Sequence, residues 1–210
     1  IGLELVRQYR ADGARVTATA RDAAGLARLR ELGATALQLD VADPVSASGL
    51  AWQVDGAGFD RVIHNAGVIG PRTQGLQPPS QADFDAVMRA NVLGPMQVLP
   101  QLADALAPGA KLAVISSRMG SIGLRANAAS WLYRASKAAV NSVLKDVSIV
   151  FEGRALCVAL HPGWVRTDMG GTGADLAVDD AVRQIRATVE SLQPAQHGGF
   201  YNHDGQPLAW

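Results

Sequence analysis

Tyr133 and Lys137 stand four residues apart in the stretch 131–147, WLYRASKAAVNSVLKDV, which reads as a helix. Four residues at about 100° each bring the two side chains one above the other on one face. A free phenol ionises near pH ~10 and is a poor acid or base at neutral pH. An ammonium group one turn away favours the phenolate, so the spacing predicts a lowered phenol pKa. Such a pair could pass a proton to or from a substrate oxygen. The same spacing also arises by accident, as a partly buried Tyr beside a solvated Lys, and only the rest of the chain separates the two readings.

The elements that must position this pair alternate in type. Short β-rich runs at 14–20, 34–39, 61–64, 111–116, 155–160 and 200–202 are separated by helical patterns at 23–32 (ended by Gly33), 45–54, 81–106, 132–151 and 179–192. Runs such as VIH and LAVI are continuously apolar, the pattern of parallel strands covered on both faces. The expected fold class is therefore α/β, a doubly wound, Rossmann-like parallel sheet, formed by residues 1–210 as one domain. The start is unusual: Ile1-Gly2 runs directly into a helical pattern, LELVRQYRADG, with no strand before it. A nucleotide-binding fold of this kind needs a first strand and a Gly-rich turn feeding that helix. The chain reads as clipped inside that turn, with the sheet missing a central member.

Bulk properties narrow the function. Lys+Arg and Asp+Glu balance at 19 each, which argues against nucleic acid or an anionic membrane surface as partner. No apolar run approaches the ~18 residues a membrane span needs. The single Cys157 lies in an apolar run and cannot pair internally, which fits a buried thiol in a reducing, cytoplasmic setting. His64, His161, His197 and His203 show no metal-ligand spacing, so no metal is expected.

In doubly wound sheets, ligands bind outside the carboxyl ends of the strands. Those ends carry Thr19-Ala20-Arg21-Asp22, Asp40-Val41, His64-Asn65-Ala66-Gly67, Ser116-Ser117-Arg118-Met119-Gly120 and His161-Pro162-Gly163-Trp164-Val165-Arg166-Thr167. Any one of these is ordinary turn chemistry. Five together point to a shared site.

HNAG (64–67), Asn91 in RANVLG, ISSRMG (115–120), YRASK (133–137) and HPGWVRT (161–167) occur in that order and span essentially the whole chain. On these motifs the chain resembles the short-chain dehydrogenase/reductase superfamily. The closing DGQPLAW and HPGWVRTDMGG resemble most its carbonyl-reductase branch, which includes C-signal-type proteins. The resemblance implies a catalytic tetrad of Asn91, Ser117, Tyr133 and Lys137. Tyr133 would exchange the proton and Ser117 would hold the substrate oxygen. Lys137 would lower the phenol pKa and bind the nicotinamide ribose. Asn91 would hold a water or kink its helix. Ser116 is the rival for the serine role, although the ISSxxG pattern favours Ser117. The interval 133 − 117 = 16 is slightly long for the family, and the extra residues fall in loop 123–130, a candidate pocket wall.

The resemblance also implies a dinucleotide site. Gly2 would close the phosphate-binding turn, Asp40 would bind adenine with Val41 beside it, and Asn65, Ala66 and Gly67 would let backbone approach the cofactor. Pro162 and Gly163 would shape the turn from which Thr167 meets the carboxamide. An acidic residue at the end of the second strand would favour NAD. Here Ala20-Arg21 occupies that place, and a guanidinium fork suits a 2′-phosphate, so NADP is favoured, with NAD the alternative. Arg21 also reads as a plain surface charge, and Asp22 as a cap for the next helix. His64 departs from the commoner Asn and is expected to be a satisfied core imidazole. Gly170, Gly171 and Gly173 mark a candidate flap, with Trp164 and Met169 as apolar walls.

The expected function is NADPH-dependent reduction of an aldehyde or ketone, or the reverse alcohol oxidation. The alternatives are an NAD-linked dehydrogenase of the same fold and a dinucleotide-binding sensor without turnover. The family usually forms homodimers or homotetramers through the helices at 81–106 and 132–151.

Overall fold

The computed structural model describes residues 1–210. Eight α-helices and six strands alternate along the chain. In order they are α1 (Gly2–Ala11), β1 (Thr17–Ala20), α2 (Ala23–Glu31), β2 (Thr35–Gln38), α3 (Pro44–Ser48), α4 (Leu50–Gln53), β3 (Phe59–His64), α5 (Gln81–Met88), α6 (Gly94–Val98), β4 (Leu106–Ile115), α7 (Trp131–Val150), β5 (Ala155–His161), α8 (Val178–Ser191) and β6 (Gly199–Asn202). Every paired strand is parallel. This is the Rossmann-like α/β architecture that the sequence pattern predicts.

The sheet is broken in two. β1 pairs only with β2, while β3, β4, β5 and β6 form a separate ladder in that order. Val62 and Ile63 of β3 are half-buried.

Strand alternation builds two cores from one sheet. Leu112, Val114, Cys157 and Ala159 point to one face and pack with Val140 and Leu144 of α7. Ala113, Ile115, Val158 and Leu160 point to the other and pack with Val182, Ile185 and Val189 of α8 and Leu5 of α1. Period-2 strands thus meet helical stripes at i, i+3, i+4 and i+7 on both sides. Arg61 of β3 makes two bonds to Glu190 at 2.6 and 2.5 Å, tying α8 to the sheet. At this exposure the pair orients more than it stabilises.

Two expected helices are interrupted. The pattern at 45–54 splits at Gly49 into α3 and α4. The pattern at 81–106 stays helical in path but changes type: α5, a π-turn at Arg89–Leu93, α6, then a 3-10 stretch at Leu99–Ala105. Pro95 and Pro100 lack the N–H that an α-helix would use, which explains the changes of hydrogen-bonding pattern around them. β4 begins at Leu106, five residues before the expected 111, with a register shift against β3 between Phe59 and Arg61.

Candidate active site

The carboxyl ends of β3, β4 and β5 and the first turns of α7 converge on one rim. α7 carries Tyr133, Ser136 and Lys137 inward, all of them buried. Gly120 allows the close approach. A Cβ there would lie 2.6 Å from the Lys137 carbonyl carbon and 2.8 Å from its oxygen, so only glycine lets the 118–120 turn rest on α7. That contact sets Ser117 beside Tyr133, near enough for its hydroxyl to act on the acidity of the phenol. Ser116 faces elsewhere: its hydroxyl bonds Asn141 Oδ1 at 2.5 Å. Of the two rival serines, only Ser117 meets the phenol.

The electrostatics differ from the expectation. Burial pushes the Tyr133 phenol above its ordinary 10, and the nearby Ser117 hydroxyl pulls the other way. Lys137 does not supply the expected lowering. Its Nζ donates to the Ile115 carbonyl at 2.9 Å and lies 5.8 Å from the Tyr133 ring centroid, over the ring rather than at the oxygen. Burial without a carboxylate partner depresses the ammonium itself to about 8.

Asn91 sits in the π-turn, so the helix irregularity the sequence reading allowed is present. Its amide is a clamp. Oδ1 accepts from Val68 N at 2.8 Å, and Nδ2 donates to Val68 O at 2.8 Å and to Ser136 Oγ at 2.9 Å. Both amide hydrogens are used, which leaves Nδ2 no donor for a water. Ser136, which the sequence reading passed over, in turn donates to the Tyr133 carbonyl at 2.9 Å. Its signal was its place inside YRASK, one helical turn from Tyr133. Gly67 lies within this cluster, and a Cβ there would be 3.2 Å from both Asn91 Oδ1 and Lys137 Nζ.

Two further residues went unread. Ser130, at the start of α7, is the one non-glycine residue with positive φ (52°). Arg134 supports that turn through the Ala129 carbonyl at 2.8 Å and Asn127 Oδ1 at 2.6 Å. A left-handed serine costs of order 1 kcal/mol and leaves no pattern in sequence.

The cofactor candidates spread along the same rim. Gly2 abuts Asn65: a Cβ at Gly2 would meet Asn65 Nδ2 at 2.8 Å. No side chain caps the first amides of α1. Arg21 is exposed, with Asp22 Oδ2 3.9 Å away, while Asp22 Oδ1 caps α2 at Gly25 N. Asp40 Oδ1 accepts from Ala42 N at 2.9 Å, and Val41 packs against Gly94. Ala66, like Gly67, is half-buried. Pro162 and Gly163 follow β5 directly, with Gly163 at φ 85°. The Thr167 hydroxyl closes its own turn, donating to Val165 O at 3.3 Å and accepting from Gly170 N at 3.0 Å, rather than pointing free.

His64 is buried and held neutral, its pKa lowered to about 4 by burial and then by Lys137. It is not the satisfied imidazole expected, because Nε2 has no partner. Trp164 is 53% exposed, so it does not pack under its turn, and it lines a cavity beside the rim.

A parallel-stranded nucleotide fold with a Ser–Tyr–Lys cluster at its carboxyl rim defines the class. The chain belongs to the short-chain dehydrogenase/reductase family of oxidoreductases, and residues 1–199 match the family described as Enoyl-(Acyl carrier protein) reductase. It is 36% identical over 154 residues to the protein named C-signal from Myxococcus xanthus, covering 72% of this chain and 92% of that one. Among solved structures it resembles the carbonyl reductase Sniffer of D. melanogaster, with 30% identity, a TM-score of 0.87, and coverage of 100% of this chain and 94% of that one. It also resembles a carbonyl reductase from Pseudomonas aeruginosa PAO1 in complex with NADP, with 31% identity, a TM-score of 0.84, and coverage of 100% and 94%. No helix is long and apolar enough to cross a membrane.

Proposed function

We propose that this protein is an NADPH-dependent carbonyl reductase that uses Tyr133 as its general acid, or as the base in the reverse direction. The observation that carries the reading is the convergence of Ser117, Tyr133 and Lys137, all three buried, where the end of β4 meets the first turns of α7. The residues present fit a dinucleotide. The uncapped amides of α1 suit a pyrophosphate, and the exposed Arg21 fork suits a 2′-phosphate. When bound, NADPH supplies the hydride.

Everything else falls to the chain. Ser117 would hold the substrate oxygen within reach of the phenol, Tyr133 would give it a proton, and Lys137 is the cation that would hold the nicotinamide ribose. Asn91 and Ser136 fix α7 against Val68, so the phenol is held by hydrogen bonds as well as packing. The complexed Pseudomonas relative and the Arg21 fork favour NADP over NAD. Phe84 and Met96 on one helical path and Ile149 and Val150 on α7 are exposed apolar residues, consistent with a homodimer or homotetramer.

The test is NADPH oxidation at 340 nm with a panel of aldehydes, ketones and quinones. Tyr133→Phe is expected to lower kcat by roughly 10²–10⁴-fold while NADPH binding, followed by fluorescence, stays within a few-fold. Unchanged turnover in that variant defeats the assignment.

A further inference from the structure

We propose that the cavity beside Ser117 is the subsite for a carboxylate carried by the carbonyl substrate, with Arg118 as the group that recognises it. This rests on the carbonyl-reductase reading and names the substrate class within it.

The cavity has a volume of about 450 Å³ and is lined by Arg118, His161, Trp164, Asp175, Asn202 and His203, among others. That size suits a small organic molecule. Its position follows from strand register. Ile115 pairs with Leu160 across β4 and β5, and His161 with Asn202 across β5 and β6. Strands stand about 5 Å apart, so His161 and Asn202 lie one and two strand spacings from the serine pair that follows Ile115. A substrate whose carbonyl oxygen meets Ser117 and Tyr133 therefore has room for a ring-sized spacer before its far end reaches this cavity.

The two charged groups of the lining are unpaired. Arg118 is exposed, and its guanidinium takes part in none of the ion pairs of the chain. Asp175 is likewise unpaired and does not reach Arg118 within 4.0 Å. His161 Nδ1 is buried without a partner. His203 Nδ1 is bonded to the Gln184 amide oxygen at 2.8 Å. An amide oxygen accepts, so Nδ1 carries a hydrogen, and the ring turns its other nitrogen, Nε2, toward Gly163. That nitrogen lies 3.1 Å from where a Cβ on Gly163 would be, so glycine keeps this wall open. Burial holds the His161 ring neutral down to about pH 4, and it adds no positive charge at neutral pH. One guanidinium facing one carboxylate gives no strong net field. A single negative charge is accommodated at the Arg118 fork, whereas a doubly charged phosphate would be opposed by Asp175. The planar fork matches the two oxygens of a carboxylate.

The experiment pairs two measurements on the full chain. Calorimetry with 4-(hydroxymethyl)benzoate and with its methyl ester reads binding without turnover. kcat/KM for 4-carboxybenzaldehyde and for methyl 4-formylbenzoate with NADPH reads the reaction. The acid is expected to exceed the ester by at least about tenfold in both, and Arg118→Gln to reduce each ratio to about one, with Arg118→Lys retaining part of it. Acid and ester binding alike, or ratios unmoved by Arg118→Gln, overturn the proposal. If neither aldehyde is reduced but the acid still binds through Arg118, the subsite stands and the reductase reading falls. If both aldehydes are reduced equally well, the subsite falls and the reductase reading stands.

Discussion

Replacing Lys137 by methionine is expected to make the protein more stable while removing its activity. Lys137 is 5% exposed, has no carboxylate beside it, and makes one hydrogen bond, to Ile115 O at 2.9 Å. Its folded pKa of about 8 stands against an ordinary 10.5. The charged form therefore pays roughly 3 kcal/mol on folding, at about 1.4 kcal/mol per pH unit. Methionine fills similar volume without that cost, but it leaves the Ile115 carbonyl unpartnered, which takes back about 1–2 kcal/mol. The expected net gain at pH 7 is about 1–2 kcal/mol.

The pH dependence identifies the cause. Below the folded value, lysine is charged in both states and the penalty is complete. Between about 8 and 10.5 the unfolded chain binds more protons, so wild-type stability rises with pH relative to the variant. Above 10.5 both states are neutral and the penalty is gone. Urea unfolding of both proteins without cofactor, at pH 7 and at steps up to 10.5, should show the methionine variant ahead at neutral pH and its advantage disappearing across that window. A variant less stable than wild type at pH 7, or a difference that does not move with pH, refutes the reasoning. So would retained carbonyl reduction in the variant, for the catalytic half of it.

Three other outcomes follow from particular contacts. Arg21→Ala should lower the NADPH/NADH ratio of kcat/KM by about tenfold or more, since the guanidinium–phosphate pair is lost. An unchanged ratio removes Arg21 from the cofactor site. His64→Asn should flatten the acid limb of stability. The imidazole has a folded pKa of about 4 against 6.5, so the unfolded chain protonates first as pH falls through that window. Wild type then loses up to about 3 kcal/mol more than the variant between pH 7 and 4, read from urea midpoints; parallel curves would contradict this. Gly120→Ala puts a Cβ 2.6–2.9 Å from Lys137 atoms, two of them backbone. It should cost about 1–3 kcal/mol and lower kcat by about 10-fold or more as Ser117 moves off Tyr133. Wild-type melting and turnover in that variant would show that the turn has slack.

The residue order of this chain determined the layered α/β fold, because continuous apolar runs and helical stripes each demand a particular kind of covering. It also pointed to the rim, because polar and glycine-rich runs follow the strands, and the resemblance of its motifs named a tetrad to look for there. What sequence left open was settled by contacts between residues far apart in the chain. Ser116 and Ser117 are adjacent and chemically identical, and only Asn141 and Tyr133, on a distant helix, separate their roles. The expected phenol–ammonium coupling failed for the same reason. Helical spacing set which face Lys137 occupies, but the Ile115 carbonyl on a neighbouring strand fixed where its Nζ points, and burial fixed the sign of both pKa shifts. Spacing along a chain defines direction from one helix; desolvation and hydrogen-bond partners depend on what the rest of the fold brings to that spot, and those were decided by tertiary structure alone.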